Sequence, residues 1–408
     1  MTTATATANP VLDFDPFGPE FRSDPVSFNA RLLASSPGFI EMDGVPSAFV
    51  ATYAQVTAVL RNFKSFSSLK PKNLPGMERV DFFNSMPVMN YSDPPDHTRR
   101  RKVVNPAFTP KRTETLRDCA GEIVDRLIDG LIEKGGEFEG LAALGRPLSV
   151  GVLMENFLGI PVEDQQIFLD YVMTLPLLDK MRPGDPKPQP YLDAWEKGAA
   201  YCRRQQQLAR EGKGNSLIRV IVEQAEGGAI SDDEMMAMMI VLLTGGVPTV
   251  GGAAAASLMN LARYPEVAER IRQDPSLAPA FLEETLRLDP PVNLVMRFTK
   301  EATEVGGTVI PEGMPVYVML RVACHDPSVF PDPTRFDIDR PNLKDHVAFG
   351  QGMHTCIGSS IARAVVPLMI SSVAQRMPGL RLADRADAVV WDSSTARARH
   401  VAEVHLTA

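Results

Sequence analysis

The sequence predicts a mainly α-helical protein with a smaller β portion. Apolar residues recur at helical spacing between Glu122 and Lys134. A long apolar stretch at 235–262 follows three acidic residues, which stabilise the start of a helix. Strand-like residues at 316–320 follow the Pro290-Pro291 pair, and no alternating βαβ pattern is visible.

The remaining elements follow from local patterns. Two strands across a turn are predicted at 39–43 and 48–52. Further helices are predicted at 161–174, 191–211, 265–274, 277–288 and 359–377, with proline-rich coil at 180–190 and coil at 331–341. No repeat or interdomain linker interrupts the chain, so residues 1–408 are predicted to form a single domain.

Composition narrows the class of protein. The chain has 408 residues, 44% hydrophobic and 23% charged, which is typical of a soluble globular protein. A net charge of −8 argues against nucleic acid or an anionic membrane as the main partner. Four widely spaced cysteines without a CxxC pair, and a start without signal-peptide features, favour the cytoplasm.

The stretch 235–262 is long enough to cross a bilayer. Four glycines and Pro248 interrupt it, and polar segments flank it on both sides. We therefore interpret it as a buried central helix.

A cysteine lies in a glycine-rich loop at Phe349–Gly358. The two glycines Gly350 and Gly352 predict a tight loop that brings Cys356 to the start of a helix. Unpaired N–H groups and the helix dipole should lower the pKa of the thiol there and favour a thiolate that can ligate haem iron. Two alternatives stand beside this one: a small core cysteine among turn glycines, or a zinc site with His354, for which no partner pair is visible.

This loop matches every fixed position of F-G-x-G-x-H-x-C-x-G, and the chain thereby resembles the cytochrome P450 family. The resemblance implies a single catalytic domain with haem b between the long central helix and the helix after the cysteine. It also implies that Cys356 is the axial ligand, that Phe349 packs near its sulfur, and that His354 contacts a haem propionate. Gly350 and Gly358 belong to the same haem-binding loop, where Gly358 would let the backbone approach a flat cofactor.

Other motifs support the resemblance. Glu284 and Arg287 are three apart on a helix face, which alone predicts an ordinary surface pair. The family's pattern implies a buried structural triad, completed here by Arg335. The same comparison implies propionate contacts for His97, Arg101 and Arg297; the alternative is that these are solvated charges.

The central helix departs from the family's pattern. Gly245, Gly246 and Thr249 match its proton-relay motif, but Pro248 occupies the position of the acid. In one interpretation the proline frees a carbonyl that holds waters, which relay protons together with Thr249. In another the relay is lost and the enzyme prefers peroxide. A third is that Thr249 merely bonds back within its helix.

The family's arrangement also implies the position of the substrate. Apolar walls are expected at 69–89, at 175–178, and at Leu242, Val292, Val295 and Thr395. Such walls suit a small hydrophobic substrate.

The resemblance implies a monooxygenase that hydroxylates or dealkylates such a molecule with dioxygen. No reductase domain or membrane anchor is visible, so electrons are expected from a separate ferredoxin and ferredoxin reductase. A basic dock for the ferredoxin is predicted from residues 99–102, Lys111, Arg112 and Arg363. The alternatives are a peroxide-driven peroxygenase and a non-catalytic haem-binding sensor.

Overall fold

The computed structural model describes residues 11–14, 25–42, 44–71, 74, 81–213, 216–225, 229–395 and 398–407. The helices within these ranges are α1 (Pro25–Ala34), α2 (Tyr53–Arg61), α3 (Asp96–Val104), α4 (Pro110–Lys134), α5 (Arg146–Val150), α6 (Val162–Asp179), α7 (Gln189–Arg210), α8 (Ser216–Ala225), α9 (Asp232–Arg263), α10 (Pro265–Gln273), α11 (Ala278–Leu288), α12 (Leu320–Ala323) and α13 (Ser359–Arg376). The strands are β1 (Gly38–Met42), β2 (Val45–Val50), β3 (Phe66–Ser67), β4 (Glu137–Glu139), β5 (Val295–Thr299), β6 (Thr303–Val305), β7 (Thr308–Ile310), β8 (Pro315–Val318), β9 (Arg381–Leu382), β10 (Val389–Thr395) and β11 (Ala398–Thr407).

The long helix α9 is the centre of the core, as predicted. It begins with a capping box: Ser231 accepts a hydrogen bond from the backbone N–H of Glu234, and the Glu234 carboxylate accepts one from the N–H of Ser231. The helix is long and apolar enough to cross a membrane, but 72% of its most apolar window is buried inside the protein. This burial is typical of a core helix rather than a membrane span.

Two π-helical turns, at Leu141–Gly145 and Gly151–Phe157, flank α5 beside α9. A Cβ atom on Gly145 would lie 2.8 Å from the carbonyl oxygen of Gly251 in α9. A residue with a side chain at 145 would not allow this close approach of the two backbones, which accounts for Gly145.

The largest sheet has the strand order β1-β2-β8-β5-β3, in which only β2 and β8 run parallel. Both of its faces are buried. Ala48 and Val50 of β2 pack into one hydrophobic cluster, whereas Phe49, between them in sequence, packs into another on the opposite face. Since both faces are covered, the sheet holds β5 and its residue Arg297 rigidly against the helical core.

Most predicted elements are confirmed, with different ends. The predicted strand pair is the antiparallel hairpin β1–β2, although Asp43 lies outside the described residues. The helix predicted at 122–134 begins twelve residues earlier, at Pro110, and the one predicted at 161–174 continues to Asp179 through Pro176. The π-helical turns were not predicted, because no sequence periodicity distinguishes them from an α-helix.

A buried ion-pair network joins α11 to the coil at 331–341. The guanidinium of Arg287 donates to both carboxylate oxygens of Glu284 at 2.7 and 2.9 Å, and neither side chain is exposed. Arg287 also donates to the carbonyl oxygens of Cys324 and Pro333, at 3.0 and 2.8 Å. This buried pair holds the coil in one arrangement, because any arrangement that left either charge unpaired would have a much higher free energy.

The prediction that Arg335 completes this network is wrong. Its side chain is 69% exposed and lies 3.8 Å from Asp337, and only its carbonyl oxygen accepts from Arg287. Arg340 completes the network instead, donating to Glu284 at 3.0 Å with a side chain that is 6% exposed. The next residue, Phe336, is buried and stacks on Tyr264, so the backbone directs Arg335 outward.

The corrected network predicts different effects for the two arginines. Arg340→Ala should lower the free energy of unfolding by about 3 kcal/mol, because it removes one partner of a buried carboxylate. Arg335→Ala should change it by less than about 0.5 kcal/mol, as for an exposed side chain. Urea denaturation of both variants beside the unsubstituted protein measures this difference. Equal midpoints for the two variants would contradict the assignment of Arg340.

Candidate functional site

The cysteine loop has the tight geometry that its glycines predict. Gly350 and Gly352 have φ angles of +65° and +71°, and a Cβ atom on Gly352 would lie 2.6 Å from the carbonyl oxygen of Leu60. The backbone N–H of Cys356 donates to the carbonyl oxygen of Phe349 at 2.8 Å. Cys356 therefore lies directly before α13, with Gly358 as the residue that precedes its first turn.

The electrostatics of the thiol differ from the prediction. Cys356 is exposed in the chain alone, but protein atoms surround enough of its thiol to desolvate it and raise its pKa above the usual value. Hydrogen bonds from the N–H groups of Gly358 and Ser359, and the charges of Arg101 and Arg363, oppose that rise without reversing it. The N–H groups at the helix start thus lower the pKa as expected, but in the chain alone desolvation outweighs them and the net shift is upward. A bound metal cation would supply the charge needed to deprotonate the thiol.

The histidines and arginines predicted near the cofactor do converge. The ring centroids of His97 and His354 are 4.3 Å apart. Arg101 donates to the carbonyl oxygens of Met353 and Thr355 at 2.9 and 2.8 Å, which ties α3 to the cysteine loop. Arg297 on β5 is buried, and its charge acts on both histidines.

This cluster carries excess positive charge. Burial, with the charge of Arg101 next in effect, lowers the pKa of His97 to about 4. Burial, with the charge of Arg297 next, lowers the pKa of His354 to about 3. The Nε2 atom of His97 is buried and has no hydrogen-bond partner among the described residues. The half-buried Arg101 and the buried Arg297, beside an unsatisfied imidazole, fit the two carboxylates of a haem.

Open space borders both sides of the expected cofactor position. A Cβ atom built on Gly245 or on Gly358 would meet no atom within 4 Å. Gly245 is exposed although it lies in the middle of a buried helix. These glycines fit a flat group between α9 and the start of α13.

Thr249 bonds back within α9. Its hydroxyl donates to the carbonyl oxygen of Gly245 at 2.8 Å and approaches that of Gly246 at 3.2 Å. This is the third of the arrangements considered for it from sequence. Helix α9 continues through Pro248, which has no N–H to donate to the carbonyl of Thr244. That carbonyl can therefore accept a hydrogen bond from water.

Two further residues of the site carry no signal in the sequence. The hydroxyl of Ser68 lies 2.9 Å from Nε2 of His354. Asp93 accepts from the hydroxyl of Ser67 at 2.6 Å and from the N–H of Ser68 at 2.9 Å, which fixes this segment against the cluster. Serine pairs are common in loops, so neither contact could be predicted from residue types alone.

Glu234, one of the three acidic residues at the start of α9, has a further role that its position in the sequence does not indicate. Its buried carboxylate accepts from Arg99 at 2.6 Å and from Arg100 at 2.8 Å, which anchors α3 to the start of α9. The capping-box spacing Ser231 to Glu234 was a usable signal for its orientation.

Ion pairs leave fewer unpaired positive charges than predicted on the surface expected to bind the ferredoxin. Arg99 is paired with Asp96 and Glu234, Arg100 shares Glu234, and Arg363 is paired with Glu283. Arg101 keeps its charge, but its guanidinium faces the backbone carbonyls of the cysteine loop. The exposed cations that remain from the predicted set are Lys102 and Lys111, with Arg112 partly exposed.

The predicted pocket walls are only partly described. Leu242 packs with the cluster of Met89 and Met238 beside α9, whereas Val292 and Val295 pack with the sheet cluster. The side chain of Thr395, at the end of β10, lies outside the described residues, as do residues 72, 73 and 75–80 of the wall predicted at 69–89.

Residues 81–85 of the same wall are fastened to helix α7 and the coil before it. Lys187 donates to the carboxylate of Asp81 at 2.5 Å and to the side-chain oxygen of Asn84 at 2.9 Å. The Tyr191 hydroxyl accepts from the N–H of Asn84 at 3.1 Å. Lys187, from the proline-rich coil at 180–188, thus ties this part of the wall to the start of α7.

Comparisons with known proteins agree with this geometry. The family model described as Cytochrome P450 matches residues 199–377. The cytochrome P450 monooxygenase PikC of Streptomyces venezuelae is 32% identical over 95% of this chain and 92% of its own length. The biotin biosynthesis cytochrome P450 of Bacillus subtilis is 30% identical over 94% of each chain.

A solved structure of similar fold is that of a myxobacterial cytochrome P450, CYP267B1, in complex with myristic acid. It superposes with a TM-score of 0.85 at 30% identity and covers 96% of this chain and 98% of its own. Sequence identity over nearly the full length and the shared fold lead to one conclusion: the chain belongs to the cytochrome P450 family of haem-dependent monooxygenases, and its relatives are bacterial members of that family.

Proposed function

We propose that this enzyme hydroxylates or dealkylates a small hydrophobic molecule in the cytoplasm. In this proposal the cofactor is haem b, the oxidant is dioxygen, and the electrons come from a separate ferredoxin and ferredoxin reductase. The observation that carries the proposal is the cationic cluster beside Cys356, in which the buried Nε2 of His97 has no hydrogen-bond partner in the part of the chain that the structure describes. That cluster and the thiol together suit a cofactor with two carboxylates and one metal.

Residues of the candidate site would bind the haem and leave room for dioxygen and substrate. Haem iron, when bound, supplies the binding and activation of dioxygen. Cys356 would ligate the metal from the side of α13. Arg101, Arg297 and His97 would bind the carboxylates, and His354, held by Ser68, would orient one of them. Gly245 would leave room for dioxygen and substrate on the face of α9.

The two candidate oxidants differ in their need for protons: dioxygen requires proton delivery by the protein, and peroxide does not. Thr249 lies beside the open space at Gly245, and water on the free carbonyl of Thr244 would complete a path without a carboxylic acid. One observation favours the peroxide alternative: the Thr249 hydroxyl proton is engaged by backbone carbonyls. Peroxide arrives with its own protons, so it would not need that hydroxyl. We favour dioxygen because Thr249 can rotate to donate elsewhere once a better acceptor binds.

The substrate is inferred from the walls and the relatives. Leu242, Val292 and Val295 are apolar and partly exposed, which suits a hydrophobic ligand. The similar structure of CYP267B1 holds myristic acid. These two observations support an apolar molecule of modest size.

Electrons would enter on the side of Cys356. A groove of about 440 Å³ between α4 and α13 is lined by Phe108, Pro110, Thr113, Glu114, Arg117, Ser360 and Ala364. Ser360 lies four residues after the cysteine, and Lys111 is an exposed cation beside the groove. An acidic carrier would meet positive charge here, which mainly raises the rate of encounter.

The sensor alternative lacks support, because the relatives are monooxygenases.

Turnover by the holoenzyme tests the proposed oxidant. Candidate apolar ligands are first selected by the shift they cause in the ferric absorption spectrum. With ferredoxin, reductase, NADH and isotopically labelled dioxygen, product should carry one labelled oxygen atom. Product formed with unlabelled peroxide alone, and not with the carriers, would support the peroxygenase instead.

The propionate contacts predict cofactor retention. His97→Leu removes a hydrogen bond to a charged group, worth about 1.5–3 kcal/mol, and should weaken haem binding roughly 10- to 100-fold. Lys102→Leu, on the same helix but exposed, should leave haem binding unchanged. Transfer of haem from each variant to excess apomyoglobin measures the difference. Equal transfer rates would contradict the role of His97.

The missing acid predicts imperfect coupling. Pro248→Asp restores a titratable group and the helical N–H at that position, so product per NADH consumed should rise several-fold if proton delivery limits turnover. Pro248→Asn, which restores the N–H without an acid, is the matched control. If the two variants couple equally, the missing acid has no part in this enzyme's proton delivery.

A further inference from the structure

Glu283, the neighbour of Glu284 on α11, is a buried carboxylate that the ion-pair network of α11 does not use. Arg363 of α13 donates to its two oxygens at 2.6 and 2.9 Å. Nε2 of His346, a fully buried side chain, lies 2.9 Å from the same carboxylate. Glu283 thus joins α11 to both ends of the segment that contains Cys356.

The protonation of this group follows from its hydrogen bonds. The N–H of Ala348 donates to Nδ1 of His346 at 3.2 Å, so Nδ1 is an acceptor and Nε2 carries the proton given to Glu283. Burial opposes the carboxylate charge, but the hydrogen bonds of Arg363 and His346 outweigh it and lower the pKa of Glu283 to about 2. Glu283 is therefore an anion that neutralises Arg363.

Arg363 also faces the cysteine loop. Its guanidinium carbon lies 4.6 Å from the centroid of the Phe349 ring. The carbonyl of Phe349 accepts the N–H of Cys356 at 2.8 Å. Arg363 and the Cys356 thiol interact electrostatically. A change in the charge balance of Arg363 would therefore act on the sulfur.

We propose that Glu283 is a positioning residue that acts through Arg363 and His346 to set the charge felt by the Cys356 sulfur, and hence the reduction potential of the iron it ligates. The inference rests on the proposed ligation of haem by Cys356. Potentials of thiolate-ligated iron respond to charges and hydrogen bonds around the ligand. An uncompensated Arg363 would stabilise the added electron, and an uncompensated Glu283 would oppose it.

Three variants of the holoenzyme test this inference. Glu283→Gln keeps the shape and an acceptor for His346 but removes the charge, so the reduction potential should become more positive. Arg363→Gln should make it more negative. The double variant should return near the unsubstituted value, because neither charge is then unbalanced. Spectroelectrochemical titration gives the potentials, and the reduced carbon-monoxide spectrum verifies that the thiolate ligand is retained.

Two further variants control for the loss of a carboxylate elsewhere on the protein and for the shape of the side chain at position 363. Asp339→Asn removes a carboxylate from an exposed two-bond pair with Arg270 and should leave the potential unchanged. Arg363→Lys retains the positive charge, so its potential should stay near the unsubstituted value even if Glu283→Gln fails to retain haem.

Two results would overturn the inference. In one, the Glu283 and Arg363 variants have unchanged potentials with an intact thiolate spectrum. In the other, both potentials move in the same direction, which would indicate general loosening of the loop. Absence of the thiolate spectrum in the unsubstituted protein would instead refute the proposed ligation by Cys356, and this charge relation with it.

Discussion

Two adjacent buried carboxylates on one turn of α11 fix the position of the cysteine loop, and the candidate site depends on them. Successive helical residues point about 100° apart, so each carboxylate reaches a different part of the chain. Glu284 bonds Arg287 and Arg340 and fixes the coil before the loop. Glu283 bonds His346 and Arg363 and fixes the loop's start and the helix after it. The glycines of the loop then allow the turn that brings the cysteine to α13.

The cofactor region is electrostatically incomplete without an anion. Burial and neighbouring cations lower the pKa values of two histidines whose rings are close together, and a buried nitrogen of one of them has no hydrogen-bond partner among the residues that the structure describes. Buried polar groups in folded proteins are rarely left in this state. The same protein raises the pKa of Cys356 when no metal is present. A group with anionic carboxylates and a metal cation would pair with the histidine and arginine cluster and would also stabilise the thiolate of Cys356.

The sequence predicted the helical class, the central helix and the hairpin, because periodicity and local patterns determine them. The convergence of His97, Arg101 and Arg297 on the cysteine loop was implied by the resemblance to the family. The resemblance misassigned Arg335, because a short motif gives the position of an arginine but not the direction of its side chain, which the burial of Phe336 turns outward. The partners of Glu283 and Glu234 could not be predicted, because they lie far apart along the chain. The sequence indicated the effect of the helix start on the pKa of Cys356 but not the larger, opposite effect of desolvation, because desolvation depends on the packing of the whole site rather than on a local motif.

The central claim is that Cys356 ligates haem iron as a thiolate. The most direct measurement is the reduced carbon-monoxide spectrum of the haem-loaded protein, compared with that of Cys356→Ser and of Cys202→Ser. The account predicts the thiolate-type band in the unsubstituted protein and in Cys202→Ser, whose buried thiol lies in α7 away from the loop. It predicts loss of that band in Cys356→Ser. A thiolate-type band that persists in Cys356→Ser would contradict the assignment of the ligand and the functional account built on it.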